Sequence, residues 1–402
     1  MDNVTHALAG ALMGAAATAL VERRAGRPST QGFGRVAMLL GVVAAELPDA
    51  DLLYAGPVLG MGRLGYLLHH RGHTHTVVFA LAAALLLWGA ALARRRRAGL
   101  GPGERGALLA LAAAGTLSHI ALDWTNGYGV HPFWPLDDRW YYGDAVFIVE
   151  PWLWIAALPP LVLLVRSAVA RALLAVAFVA ILGAAWTFGP VTKGTAALLT
   201  VGALAWAAVV CAAPATRRVA LGIAAFLGFE LVAFAASGAA RDRVRAAAGA
   251  GYVDAALEPA AANPLCFGAM VMEVEGGIYR VTAADVAPFP GLRGVERCRQ
   301  QGGGGGAGRP APAGVRWGEE WVAPVDELRA LFAGHCEVAA ALRFVRVPSW
   351  EPLPGDSLRL DDLRYARGGG GFASFATPAR ATVCPRHVPP WVPPRADILV
   401  RG

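Results

Sequence analysis

Apolar runs long enough to cross a bilayer recur through the first 238 residues, and that repetition leaves the chain very few folds. About 20 apolar residues in helical form span roughly 30 Å of hydrocarbon. Eight such runs stand at residues 5–21, 36–54, 76–93, 106–124, 146–165, 172–188, 195–213 and 219–237. The third, sixth and seventh hold no ionisable side chain, whereas the first, second, fourth and fifth carry His, Asp or Glu and can be shorter or partly re-entrant. Only 16% of the residues are charged, against roughly 25% in a soluble domain. The sequence therefore predicts an all-α bundle of about eight membrane spans. With no basic stretch ahead of it, the first run reads as a retained helix, not a signal peptide.

The pattern changes after residue 240. Residues 241–402 are polar and contain much Pro and Gly, with short β-like runs at 267–274, 278–281 and 342–347. They predict a soluble module, mostly β or α+β, with Gly-rich loops at 302–306 and 368–371 and an extended Pro-rich tail at 385–394. Three regions follow: a metal-site membrane domain at 1–165, accessory transmembrane helices at 166–240, and the module at 241–402. Cys266, Cys298, Cys336 and Cys384 lie in the module. Outside the cytoplasm they can form two disulfides in any of three pairings; otherwise they are four free thiols. Cys211 is expected to be buried in the seventh span.

The net charge is +7, and its placement matters more than its size. Thirteen arginines fall in one set of alternating loops (Arg23, Arg24, Arg27, Arg35, Arg94 to Arg97, Arg105, Arg166, Arg171, Arg217, Arg218), against Arg63, Arg71, Arg139 and Lys193 in the other. Cytoplasmic loops of membrane proteins carry the excess of basic residues. That rule turns the amino terminus, the 69–75 and 125–145 loops and the module outward, with Arg241, Arg243 and Arg245 as exceptions. Basic clusters that punctuate membrane runs are orientation signals, so the expected partner is the lipid bilayer and not nucleic acid.

Against this apolar background, polar residues collect at one predicted membrane face. His69-His70-Arg71-Gly72-His73-Thr74-His75 precedes the third run. His6 opens the first, Pro48-Asp49-Ala50-Asp51 ends the second, and His119 and Asp123 end the fourth. His119 and Asp123 stand at i and i+4, on one helical face. Pro48 breaks its helix, and Gly72 lets the histidine loop turn tightly. Neutral imidazole is the commonest metal ligand, and ionisable groups near a bilayer are rare without a function. The aromatic side chains Trp124, Tyr128, Phe133, Trp134, Trp140, Tyr141 and Tyr142 read as an interfacial belt, or as a lid over an amphiphilic substrate.

Thr5-His6 with Gly10, the Pro48–Asp51 turn, His70 to His75 and His119-Ile120-Ala121-Leu122-Asp123 resemble the bacterial family of membrane-bound metal-dependent hydrolases, as do Tyr128-Gly129, Pro132-Phe133 and Glu150-Pro151 further on. The resemblance covers residues 1–165. It implies a multi-span inner-membrane protein with hydrolytic activity and His6, Asp49, Asp51, His70, His75, His119 and Asp123 as metal ligands, with Glu150 supporting them.

The residue chemistry agrees with that implication. A mixed His/Asp set suits zinc best, with manganese or iron as alternatives, and seven candidates leave room for one or two ions. Water activated there would attack a phosphoester or an acyl ester of a lipid-like molecule. Asp51 or Asp49 is the expected base, Arg71 the group facing the developing negative charge, and His73 or His131 the proton donor. A metal transporter and a non-catalytic envelope protein with a structural metal are the competing classes.

Overall fold

The computed structural model describes residues 1–56, 58–298, 309–366, 370–379 and 384–400. The predicted loop at 302–306 and residues 368 and 369 of the second Gly-rich loop lie outside them. Ten helices come first: α1 (Asn3–Ala25), α2 (Phe33–Glu46), α3 (Leu52–Ala55), α4 (Gly62–His69), α5 (Val77–Arg95), α6 (Glu104–Trp124), α7 (Pro151–Leu164), α8 (Ala168–Thr187), α9 (Lys193–Ala212) and α10 (Ala215–Ala247).

Six of these, α1, α5, α6, α8, α9 and α10, are long and apolar enough to cross a membrane. The second and fifth runs form shorter helices than expected, and proline explains both. The second run breaks at Pro48 into α2, a 3-10 turn at Leu47–Asp51 and the one-turn α3. In the fifth run the helix starts only at Pro151, a residue suited to a first helical turn, so α7 has 14 residues.

Close packing in the first half rests on small residues. Gly10 and Gly14, spaced as Gly-x-x-x-Gly on α1, lie against the backbone of α2 at Gly41 and Ala37, where any Cβ would collide. Such contacts let helices approach closely in lipid, where the hydrophobic effect between them is absent. Gly115 on α6 meets Ala44 of α2 in the same way. These three helices form the core of the site. By contrast α8 and α9 are largely uncovered along their lengths. Cys211 on α9 is exposed, not buried as expected.

The module continues with β1 (Tyr252–Ala260), β2 (Asn263–Glu275), β3 (Ile278–Val286), β4 (Val315–Pro324), α11 (Val325–Gly334), α12 (Cys336–Ala341), β5 (Pro348–Leu353), β6 (Ser357–Asp362), β7 (Ser374–Pro378) and α13 (Ala396–Leu399). Strands β1 to β4 form one antiparallel meander and β5 to β7 another. The runs at 267–274 and 278–281 fall inside β2 and β3. The run at 342–347 is not a strand: Leu342, Phe344, Val345 and Val347 are buried in a turn after α12, held by amides that donate back to Val338 and Ala341. The module cysteines pair as Cys266–Cys298 and Cys336–Cys384.

Helix α10 joins the two halves. At 33 residues it is about 50 Å long, more than a bilayer core needs. Its last turns pack Ala236, Ala240 and Val244 onto Ala255, Leu257 and Phe267 of the first sheet. Here two of the three arginines that defied the charge rule find partners. Arg241 pairs with Asp144 at 2.7 Å and Asp254 at 3.4 Å, and Arg243 donates to the carbonyls of Pro288 and Ala313. Buried Arg346 completes this junction, reaching Asp144 at 2.9 Å and Asp254 at 3.2 Å.

Candidate metal centre

Each polar residue of the site is delivered by a helix end. Asp2 caps α1, its carboxylate accepting from the Thr5 amide at 3.0 Å, which places His6 in the second turn. The 3-10 turn after α2 presents Asp49 and Asp51. Helix α4 stops at His69, and the chain returns through Arg71, whose φ of 62° is left-handed. That conformation is unfavourable for a side chain bearing a Cβ and is held by the Arg71 amide donating to Asp51 at 3.0 Å. A second 3-10 turn, His73–His75, leads into α5, which Thr76 caps. The last turns of α6 supply His119 and Asp123.

Four ligand atoms meet at the centre: Nε2 of His75, Nε2 of His119, Oδ1 of Asp49 and Oδ2 of Asp123. The separations are 3.1 Å between the two nitrogens, 3.4 and 3.0 Å from His75 to Asp49 and Asp123, and 3.4 and 3.3 Å from His119 to the same carboxylates. A tetrahedral ion with bonds of about 2.0–2.1 Å has ligand–ligand edges of about 3.3 Å, so the five edges fit such an ion. Both carboxylate oxygens are buried and make no hydrogen bond. An uncompensated buried carboxylate oxygen is costly, and a cation among these four atoms would remove that cost.

The other atom of each ligand is fixed from outside. The His119 Nδ1 sits against the carbonyl of Ala45, which directs Nε2 inward. The Nδ1 of His75 faces Asp51 at 3.3 Å. Oδ1 of Asp123 lies 2.9 Å from Arg71, 3.2 Å from His6 and against the amino group of Met1. A hydrogen-bonded outer layer of this kind is how metal-binding imidazoles and carboxylates are oriented.

A second group, Asp49, Asp51 and His70, shares Asp49 with the first. Asp51 also organises the loop: it takes His70 Nδ1 at 2.9 Å, and its Oδ2 accepts from the Arg71 amide and, at 2.8 Å, from Thr74.

The structure thus brings together Asp49, Asp51, His70, His75, His119 and Asp123. His6 touches the cluster without entering either group; it stacks on His119 at 3.8 Å. Arg71 is 3% exposed and committed, with one nitrogen on Asp123 and the other on Asn126 at 2.9 Å. His73 is not brought to the carboxylates. Its ring lies against Trp134 and Trp391, 4.7 and 4.9 Å between centroids. Glu150 caps α7 and accepts from the Ala262 amide, tying α7 to the module instead of supporting the ligands.

The aqueous side of the cluster is roofed. His131 is packed between Trp391 and Trp140, at 3.8 and 3.9 Å, and burial holds its pKa down at about 3, so the ring is neutral. Trp391 is fully buried and donates from its indole to the Leu68 carbonyl at 2.7 Å. His69 meets the carbonyl of His387 at 2.8 Å. Tyr128 and Trp140 pack with them and with Phe344; of the seven aromatic residues of this loop only Trp124 and Phe133 are exposed. Sequence reasoning missed Asn126, Thr74 and Trp391. Asn126 and Thr74 sit within three residues of expected site residues, while Trp391 is separated from its partner Leu68 by 323 positions.

Residues 1–196, a little under half of the chain, match the family described as YdjM inner membrane protein. No curated protein and no solved structure matches the chain. The similarity and the six membrane-length helices make this a multi-span inner-membrane protein.

Proposed function

We propose that the protein is a membrane-embedded metal-dependent hydrolase, with its centre at the outer face of the membrane and a phosphoester or acyl ester of a lipid-like molecule as substrate. One observation carries the reading: two imidazole nitrogens and two carboxylate oxygens without hydrogen bonds converge with the edge lengths of a tetrahedral cation site. The mixed donor set suits zinc first, then manganese or iron.

A divalent ion supplies Lewis acidity and makes water acidic enough to lose a proton near neutral pH. The chain's own residues do the rest. His75, His119, Asp49 and Asp123 would hold a first ion. Asp51 and His70, together with Asp49, would hold a second ion with three protein donors. Asp51 steers His75, and Arg71, bound to Oδ1 of Asp123, aims the other oxygen inward. With Arg71 so engaged, its contribution to a developing negative charge is through its field and not through a free fork. The half-buried His73 in the roof is the remaining candidate to hand a proton to a leaving group.

The first group by itself supports a second reading, a structural metal, because four protein donors close a tetrahedral site. Metal content and activity of the detergent-purified chain separate the two. Two ions per chain, with turnover of generic phosphodiester or ester substrates that His70→Ala abolishes, support the hydrolase. One ion, retained in His70→Ala, with no turnover, supports the structural role.

A further inference from the structure

Two side chains of the centre keep some exposure. His6, Asp51, His75, His119 and Asp123 have no exposed surface, whereas the side chains of Asp49 and His70 keep 9% each; His70 is packed against Tyr66 and Tyr128. Asp49 shares its opening with Asn3, whose amide donates to Asp49 and Glu46 at 3.0 Å each. Asn3 is exposed at the first turn of α1, and Glu46 ends α2.

That opening continues an exposed apolar stripe of α2. Leu39 and Val43 are exposed on α2, and their spacing of four then three residues leads to Glu46. Beyond the opening, Leu53 is 77% exposed, and Val4 beside Asn3 is exposed as well. Large apolar side chains flanking a polar gap on one side are stable in contact with acyl chains and unfavourable in water. On the opposite, aqueous side stand His131 and Trp391, both fully buried.

Resting on the hydrolase reading, we infer that the substrate is an amphiphile that resides in the bilayer and presents its ester to the centre sideways, through the gap formed by Asn3, Glu46 and Asp49 between α1 and α2. The acyl part stays against Leu39, Val43 and Leu53, so only the headgroup linkage leaves the membrane interface. A water-soluble ester with the same headgroup lacks this route, because the tail around Trp391 covers the other approach. Asn3 and Glu46, neither of which belongs to a metal-binding group, set the width and polarity of the gap.

The test uses the full chain in phosphatidylcholine proteoliposomes, with Cys211→Ser as background. Nitroxides at Val4→Cys and Leu53→Cys report collisions with oxygen, which concentrates in lipid, and with an aqueous nickel chelate. Oxygen-dominated relaxation at both positions is expected; nickel-dominated relaxation at both overturns the proposal, whatever the turnover. Activity is then compared on a bilayer-anchored ester and its short-chain soluble analogue. Asn3→Trp is expected to lower turnover of the anchored substrate at least ten-fold with bound metal unchanged, while Trp391→Ala leaves it unchanged. The reverse pattern, a neutral Asn3→Trp and an accelerating Trp391→Ala, places the approach at the roof and overturns the proposal. A chain that binds metal, turns over neither ester and still gives oxygen-dominated relaxation sinks the hydrolase reading and leaves the lipid-facing gap standing.

Discussion

The Nε2 atoms of His75 and His119 face each other at 3.1 Å although the residues are 44 positions apart. One neutral ring can donate to the other, but that leaves Asp49 Oδ1 and Asp123 Oδ2, in the same ring of atoms, without hydrogens. A cation satisfies all four at once. Replacing His119 by Ala is therefore expected to remove one equivalent of metal, measured by elemental analysis of the purified chain. Retention of full metal content in that variant would refute the assignment.

Asp51 offers a sharper test, because it steers His75 from behind. Outer partners of metal-bound histidines typically contribute 10–100-fold in affinity. Asp51→Asn keeps its size and should weaken binding within that range in a chelator competition, with the ion still bound at saturating metal. If Asp51 also holds the second ion, the same variant loses that equivalent altogether, so stoichiometry tells the two roles apart.

Much of this centre was legible because its signals are local. His119 and Asp123 share a helical face at i and i+4, Pro48 forces the turn that shows Asp49 and Asp51, and Gly72 permits the loop. The alternation of spans then put all four pieces at one face. Contacts that depend on distant partners were not legible. Nothing near Trp391 says that its indole will reach Leu68, and His6 carries no mark that its ring will stack on His119. The run at 342–347 misled because burial makes any segment apolar, whether strand or turn. The second and fifth spans were drawn too long because hydropathy is blind to where a proline lets a helix begin or end.

The junction between membrane domain and module depends on Arg346. Its guanidinium is buried, bonded to Asp144 and Asp254 and stacked 4.1 Å above the Tyr142 ring, and those carboxylates raise its pKa further. Arg241 still reaches both carboxylates without it, so the loss of Arg346 costs less than the roughly 3–5 kcal/mol of leaving a buried charge with no partner. Arg346→Met should undock the module, seen as rapid proteolysis near residue 250 while α1 to α6 stay protected. Unchanged protease resistance would show that α10 alone holds the halves together.

His131 makes stability depend on pH with a definite sign. Its pKa is about 3 when folded and near 6.5 in an unfolded chain, so between these values the unfolded state binds the extra proton. Stability from this residue is fully present above pH 6.5 and falls as the pH drops toward 3, by about 2 kcal/mol at pH 5. His131→Gln removes the titration. Thermal unfolding of the wild type should lose more between pH 7.5 and 5 than the variant does, and equal losses would mean that the roof admits water.

Sidedness can be read from two independent features. The thirteen arginines sit at the helix ends away from the metal centre, and the module, on the centre's side, holds its four cysteines as two pairs. Basic loops remain in the cytoplasm, and disulfides persist where the surroundings are oxidising. Both features predict that the module faces outward. In intact cells, a membrane-impermeant maleimide should label a cysteine placed at the exposed Leu292, and one at Arg96 only after lysis. Labelling in the opposite order would put the metal centre at the cytoplasmic face, where its ester substrates would have to be lipids of the inner leaflet.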